Sequence, residues 1–401
     1  MSVNYVVSKV AKDIYLIRIL DSATRYFEGI WEIPEGVVYN SYVLATLDGA
    51  VVFDTAKHTY RDAYLEALSR VVDLKSIKYV VTHHMEPDHS GVSAELAKLS
   101  GATLIGHPLA ARMAKSFYNY DGPFRVVGDN SELTVGGYTI RFIHTPWLHW
   151  PETMVSYVKE AGALLTCDAF GSYGVYREVF YDELSEEARA KYKWLMLKYF
   201  ANIIGFYRGW VEKNIAKIES MNVKPEYVLP AHGLALRGDS ISEARELYLK
   251  WSRGEHSKGK AVVVYTSMYG FVEKAVAMLV EKLEKAGYKV VAYKFNDREH
   301  SLVSNVLADA YDSEVLVLAT SSYDAGLFPL MKHIAGLLAK KVPLESKVIS
   351  IFALYGWGAV AGRELREILV QGGAKNVFVA EAGVGELKKA LGDLAGFLKL
   401  Q

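Results

Sequence analysis

Beyond residue 260 the chain alternates short apolar runs with amphipathic stretches at a regular pitch. AVVVYTS, KVVAYKF, SEVLVLATS, SKVISIFAL and NVFVAEAG read as five strands. Helical segments such as EKAVAMLVEKLEKAG, closed by Gly287, separate most of them. Strands that are apolar on both faces need cover on both faces, which a parallel sheet flanked by helices provides. We therefore predict a doubly wound, parallel five-stranded α/β domain, with its ligand at the carboxyl ends of the strands. Just upstream, WSRGEHSKGK (Trp251 to Lys260) is polar, carries two glycines and has no apolar period. It reads as a linker and divides the chain into domains at 1–254 and 255–401.

The first domain is also mixed α/β. The strand-like runs at 37–47 and 50–56 are parted by Asp48-Gly49, a hairpin signal. RDAYLEALSRVV is helical, and IKYVVTHH is a strand ending in histidines. ATLIGH, YTIRFIHT, MVSYVKE and ALLTCDAF continue the strand series, a helical stretch runs from about 184 to 220, and EYVLPAHG is a further strand. Lys+Arg and Asp+Glu both number 46, so no basic excess exists to hold nucleic acid. No stretch approaches the roughly 20 apolar residues of a membrane span. Charged residues interrupt every apolar run near the N-terminus, so no signal peptide is expected and the chain reads as cytoplasmic. The single cysteine, Cys167, excludes an internal disulfide, a cysteine-based zinc knuckle and a fused four-cysteine iron centre.

Of eleven histidines, several fall at strand ends beside acidic residues. The densest group follows IKYVV, where His84, Glu86, Asp88 and His89 place two imidazoles and two carboxylates within six residues. His149 lies in HTPWLHWPETM, Asp168 follows ALLTC, and His232 follows YVLP. The intervals between them are long enough for the chain to leave and return to one sheet edge. Four imidazoles and three carboxylates exceed what one tetrahedral zinc takes. They suit two metals sharing one carboxylate. A lone buried His or Asp is more often a hydrogen-bonded core residue. His58, His83, His107 and His144 are assigned to that class, and Asp54 is assigned as a structural carboxylate near the site.

In the second domain the first strand ends in Thr266, Ser267, Met268, Tyr269 and Gly270, where hydroxyls and backbone N–H groups at a helix start form an anion site. The third strand runs into Ser321, Ser322, Tyr323, Asp324, Ala325 and Gly326, and the fourth into Tyr355, Gly356, Trp357 and Gly358. These loops should meet at one sheet edge. Tyr323, Tyr355 and Trp357 offer an aromatic wall for a flat ring, and Gly356 and Gly358 permit close backbone approach. Loop aromatics that merely pack are the alternative.

Together, the His-x-Glu-x-Asp-His run, the later His, Asp and His, and the segments CDAFG and PAHG resemble the metallo-β-lactamase fold. Hydrolases of that fold have His where this chain has Glu86. With that exchange, and over nearly its whole length, the chain resembles the flavodiiron proteins. The resemblance implies an αββα sandwich of metallo-β-lactamase type followed by a flavodoxin-like domain, two irons per chain, and FMN. It implies that His84, Glu86, His149 and Asp168 hold one iron, and Asp88, His89, Asp168 and His232 the other, with Asp168 bridging. It also implies reduction of O2 or NO, a separate donor such as rubredoxin or a reduced deazaflavin, and a head-to-tail homodimer or dimer of dimers. An extra carboxylate makes the site harder and more anionic, which suits iron over zinc.

Two departures stand out. Phe271-Val272 follows Ser-Met-Tyr-Gly where the family usually has Asn-Thr, so two partners of the FMN phosphate are missing and weaker FMN retention is expected. Glu28 stands in RYFEGIWEIPEG where the family's histidine is common. Glu28 and Tyr199 are candidates for acid–base roles beside the metals, against the plainer reading of a surface carboxylate and a core tyrosine. The rival functions are a thioesterase-like zinc hydrolase with a vestigial second domain, and an electron carrier with FMN but no working metal site.

Overall fold

A computed structural model describes residues 4–399. They form two compact units. One comprises the chain up to Phe200 together with Tyr207–Leu249, and the other Ala201–Phe206 together with the chain from Lys250 onward.

The first unit is built on two sheets. Strands β1 (Tyr5–Ala11), β2 (Ile14–Asp21), β5 (Val37–Thr46), β6 (Gly49–Phe53), β7 (Ile77–Thr82), β8 (Thr103–Gly106) and β9 (Phe124–Val126) form one, with a short hairpin of β3 (Tyr26–Phe27) and β4 (Trp31–Glu32) apart from it. Strands β10 (Ser131–Val135), β11 (Tyr138–His144), β12 (Met154–Val158), β13 (Ala163–Cys167), β14 (Tyr227–Pro230) and β15 (Leu236–Arg237) form the other. Leu16, Leu44, Phe53 and Val81 of the first sheet pack in one core with Ile140, Phe142, Leu165 and Leu229 of the second. Helices cover the outer faces. Arg61–Ser69 lies on β1 and β2, and Ser93–Ser100 on β7 and β8. Ile215 and Ile241, from helices Arg208–Ser220 and Asp239–Ser252, face Leu164, Val228 and Leu236 of the second sheet. The αββα sandwich follows from strands that are apolar on both faces and so must be covered twice.

Two local expectations change. In the β5–β6 hairpin Thr46 pairs with Gly49, so the tip is Leu47-Asp48 rather than Asp48-Gly49. Gly49 takes φ +119°, and a Cβ there would lie 2.7 Å from the Ser76 carbonyl. Close packing and the positive φ, not a place at the hairpin tip, demand that glycine. The helical stretch to 220 is also broken: Glu186–Tyr199 runs into a π-helical segment Phe200–Ile204 and a 3-10 turn before Arg208–Ser220.

The second unit has one main sheet in the order β17 (Lys289–Asn296), β16 (Lys260–Ser267), β18 (Val315–Tyr323), β20 (Val348–Tyr355), β21 (Asn376–Gly383), all parallel. The two-residue β19 (Gly326–Leu327) folds back on β18. Helices Phe271–Lys285 and Leu387–Phe397 cover one face, and Val303–Tyr311, Pro329–Lys341 and Ala361–Gln371 the other. This is the doubly wound sheet expected from the alternation.

One buried network ties the two sheets of the first unit together. Arg18 of β2 is fully buried. Its Nε donates to Asn40 Oδ1 at 2.8 Å, its Nη2 to the Gly233 carbonyl at 2.9 Å, and its Nη1 to the Glu178 carbonyl. Asn40 Nδ2 donates to the carbonyls of Pro230 and Gly233, each at 2.9 Å. The first sheet thereby grips the loop that carries His232. Arg18→Met strands several buried acceptors and should cost on the order of 3 kcal/mol, read as a lower denaturation midpoint by circular dichroism.

Candidate metal and flavin sites

The candidate metal residues follow strand ends. β7 is followed by His83 and His84; Glu86 precedes a one-turn helix, Pro87–Ser90, that carries Asp88 and His89. His149 and Glu152 lie on the β11–β12 connection, Asp168 follows β13, and His232 follows β14. The structure brings His84, Glu86, Asp88, His89, His149, Asp168 and His232 into one buried cluster.

Asp168 is its centre. Its Oδ1 lies 3.0 Å from His89 Nε2 and 3.3 Å from His232 Nε2. Its Oδ2 lies 3.6 Å from His84 Nε2 and 3.4 Å from His149 Nε2. One carboxylate thus turns each oxygen to a different imidazole pair. Glu86 Oε2 closes the first pair, 3.2 Å from His84 and 3.0 Å from His149. Asp88 closes the second, with Oδ1 3.4 Å from His89 and Oδ2 3.3 Å from His232. Both Asp88 oxygens, Asp168 Oδ2 and His232 Nε2 are buried without a hydrogen-bond partner. Buried polar atoms are seldom left so, and two cations among these donors would satisfy them. The donor set therefore fits a pair of metals.

The rings are aimed from behind. Glu152 Oε1, wholly buried, lies 2.8 Å from His84 Nδ1 and accepts from Met85 N at 3.0 Å. His232 Nδ1 donates to the Val38 carbonyl at 2.8 Å. Each bond leaves Nε2 facing the cluster, as a ligating imidazole requires. Glu152 was missed from sequence, although an acid three residues after His149 in an apolar segment was a usable signal. The Val38 carbonyl had none.

Charge is balanced inside the cluster. Burial alone would push the His84 imidazole down, but its bonds to Glu152 and Glu86 outweigh this and hold it at about 10. Burial likewise opposes the charges of Asp88 and Asp168 at His89, which stays at about 9. Asp168 and Glu86 hold His149 at about 9, and Asp168 and Asp88 hold His232 at about 10, against the same burial. The imidazoles in turn keep the Glu86 and Asp168 carboxyls below the usual range although burial acts to raise them.

The other candidates fall as follows. Tyr199 is buried and donates to Asp168 Oδ1 at 2.7 Å. Burial and then the Asp168 charge push its phenol well up, so it is a proton-bearing donor at neutral pH. Glu28 is exposed in the β3–β4 turn, where its Oε2 accepts from Trp31 Nε1 at 3.0 Å. Its neighbour Phe27 sets its ring edge-to-face on His232 at 5.6 Å. His83 is held by Asp54 at 2.6 Å and Ser156 at 2.8 Å. His107 accepts from Leu109 N and meets His144 edge-on, and His58 is exposed near Glu95. Burial drives the Cys167 thiol up, and the Asp54 and Asp168 carboxylates push it the same way, so it is no thiolate.

In the second unit a cavity of about 400 Å³ opens at the carboxyl ends of β16, β18 and β20. Met268, Tyr269, Ser321, Ser322, Tyr323, Asp324, Tyr355, Gly356 and Trp357 line it, with Phe271, Val272, Leu354 and Val384. Thr266 is buried, 2.8 Å from the Thr320 hydroxyl, and Ser267 lines an adjoining cavity. Gly270 begins the helix at φ +81°, Asp324 and Ala325 make the β18–β19 turn with Gly326 opening β19, and the Gly358 carbonyl accepts from Ser322 Oγ. A Cβ on Gly356 or Gly358 would meet nothing within 4 Å, so no neighbour among the described residues requires glycine there.

Two outcomes follow for the metal cluster. Glu152→Gln should weaken metal binding by about 10- to 100-fold, measured by competition with a chelating dye. In the metal-free protein the four imidazoles carry protons at neutral pH, so adding divalent metal should release protons, and affinity should rise with pH until the imidazoles deprotonate at about 9 to 10. Indicator-dye titration reads both.

Residues 37–233 match the ODP family of beta lactamases, and residues 263–395 match flavodoxin. A variant of the flavo di-iron protein of Thermotoga maritima superposes with a TM-score of 0.91 at 32% identity, covering 100% of this chain and 99% of that one. The rubredoxin oxygen:oxidoreductase of Desulfovibrio gigas superposes at 0.90 with 26% identity and 98% coverage of both chains. A nitric oxide reductase of Moorella thermoacetica is 27% identical over 92% of this chain and 90% of its own length. Two domains in one order, full-length coverage and identity above three in ten with a flavo di-iron protein establish the conclusion: this chain belongs to the flavodiiron protein family.

Proposed function

We propose that this chain is an oxidoreductase that reduces O2 to water, NO to N2O, or both, at a di-iron centre fed through FMN by a separate donor. The observation that carries the reading is Asp168, whose two oxygens face two imidazole pairs, each closed by its own carboxylate. His84, Glu86, His149 and Asp168 would hold one iron, and Asp88, His89, Asp168 and His232 the other. FMN would occupy the cavity walled by Tyr323, Tyr355 and Trp357. When bound, the irons supply electrons and open coordination positions for a small gas, and FMN relays electrons to them.

The chain's own residues orient, shield and protonate. Glu152 holds His84 in one ring orientation. Phe27 and Trp150 pack edge-on against His232 and His84 and limit water there. Gas reduction consumes protons, and the Tyr199 hydroxyl holds one at Asp168 Oδ1, beside the reacting space. The relatives named for rubredoxin and for nitric oxide support both gases and an external donor, for which rubredoxin or a reduced deazaflavin has suitable chemistry. Residues 1–401 hold one cysteine, too few for an iron–sulfur relay within them, which fits an external donor.

The proposal extends to a cytoplasmic, head-to-tail homodimer or dimer of dimers, in which each flavin serves its partner's metals. Tyr269 and Trp357, 86% and 88% exposed at the flavin cavity, support such a contact. Among the described residues no helix is long and apolar enough to cross a membrane.

Anaerobically purified protein should carry about two irons and at most one FMN per chain, elute as an oligomer, and consume O2 or NO with a chemical reductant. Zinc in place of iron, with thioester hydrolysis, would overturn the reading. Glu86→His should shift the metal content from iron toward zinc and lower gas consumption about tenfold or more, followed by elemental analysis and a gas electrode.

A further inference from the structure

In a doubly wound sheet of this strand order, a nucleotide's phosphate is met at the start of the helix after the first strand. Here that helix is Phe271–Lys285, and its first turn is poorly equipped for a dianion. Gly270 provides no side-chain cap. Phe271 and Val272 carry no polar side-chain atom, and Val272 is buried in the apolar core with Ala275 and Leu279. The nearby hydroxyls are already engaged. Thr266 pairs with Thr320, and Ser267 Oγ accepts from Glu273 N at 3.3 Å, which also uses one of the helix's free N–H groups.

The charges point the same way. Glu273, the acid of the first turn, has the sign of a phosphate, and its Oε1 accepts from Tyr265 and Asn296. Among the described residues, no lysine or arginine lines the cavity. The adjoining cavity adds Asp297 and His300 but no permanent cation. By contrast the ring end is well furnished, with Tyr323, Tyr355 and Trp357 as walls and Ser321 Oγ buried without a partner.

Resting on the reading of this cavity as a flavin site, we infer that it selects its flavin by ring and ribityl chain rather than by phosphate, so that riboflavin binds nearly as well as FMN. Phe271 and Val272 are the residues that set this selectivity. A phosphate would gain only backbone N–H groups and the helix dipole, offset by the Glu273 carboxylate and its own desolvation.

The test is titration of the full-length chain, freed of flavin, with riboflavin and with FMN separately, following quenching of flavin fluorescence. The two dissociation constants should agree within about tenfold. A Phe271→Asn, Val272→Thr double variant should bind FMN about tenfold or more tighter, by the charge-assisted bonds restored, with riboflavin unchanged. FMN binding more than about tenfold tighter than riboflavin in the unaltered chain would overturn the inference and leave the flavin reading intact. Binding of neither flavin would overturn the flavin reading and the inference with it. The comparison on the unaltered chain decides the matter even where the double variant does not fold.

Discussion

The first domain depends on keeping a dense group of charges neutral out of water. Four imidazoles meet the carboxylates of Glu86, Asp88, Glu152 and Asp168 in a cluster that solvent barely reaches. An isolated ion there would cost many kcal/mol, so the groups persist only because they compensate one another. With every imidazole protonated the four positive and four negative charges cancel. Two divalent cations in place of those four protons keep the same balance. The pocket is thus prepared electrically for a metal pair, and Asp168, which touches both imidazole pairs, is where the balance is held.

Such a cluster needs a rigid frame, and the sandwich provides it. Asp88 and His89 sit on a one-turn helix and the other donors on loops, and the strands that lead to Asp168 and His232 are buried almost throughout. Arg18 and Asn40 clamp the His232 loop from the opposite sheet, and Glu152 and the Val38 carbonyl fix ring orientations. Tyr199 ends its helix where the π-helical segment begins, and its hydroxyl reaches Asp168 there. π-Helical segments often occur at functional positions in helices. Clamp, ring partners and tyrosine all act on the metal donors through hydrogen bonds that burial strengthens.

The second domain works by a looser logic. Its sheet order creates a crevice at the strand ends whatever the loops contain. The loops decide what the crevice holds. Here they are rich in aromatic surface and poor in anion partners, a balance that favours a flat ring over its phosphate. Tyr269 and Trp357 of these loops stay largely exposed, so the aromatic surface around the cavity extends beyond its walls.

Much of this was legible in the sequence because the signals are local. Apolar period and turn residues disclosed the parallel sheet and the mixed first domain. The crowding of His84, Glu86, Asp88 and His89 disclosed a candidate metal loop, and strand-end positions added His149, Asp168 and His232. What the sequence could not reveal depends on contacts between distant segments. The sequence implied by resemblance that Asp168 bridges, but nothing in it showed that Val38 lends a carbonyl to His232 or that Arg18 holds the PAHG loop. It placed the hairpin turn one residue late, because Gly49 answers to packing against Ser76 rather than to the turn. It offered Glu28 either as an acid–base group beside the metals or as a surface carboxylate; the fold sets that side chain in an exposed turn and packs the adjacent Phe27 on His232. Residue type and spacing thus determined which chemistry the chain carries and on which strands. Tertiary packing alone decided where each donor atom points, because a side chain's direction is set by the neighbours it is buried among and not by those beside it in the chain.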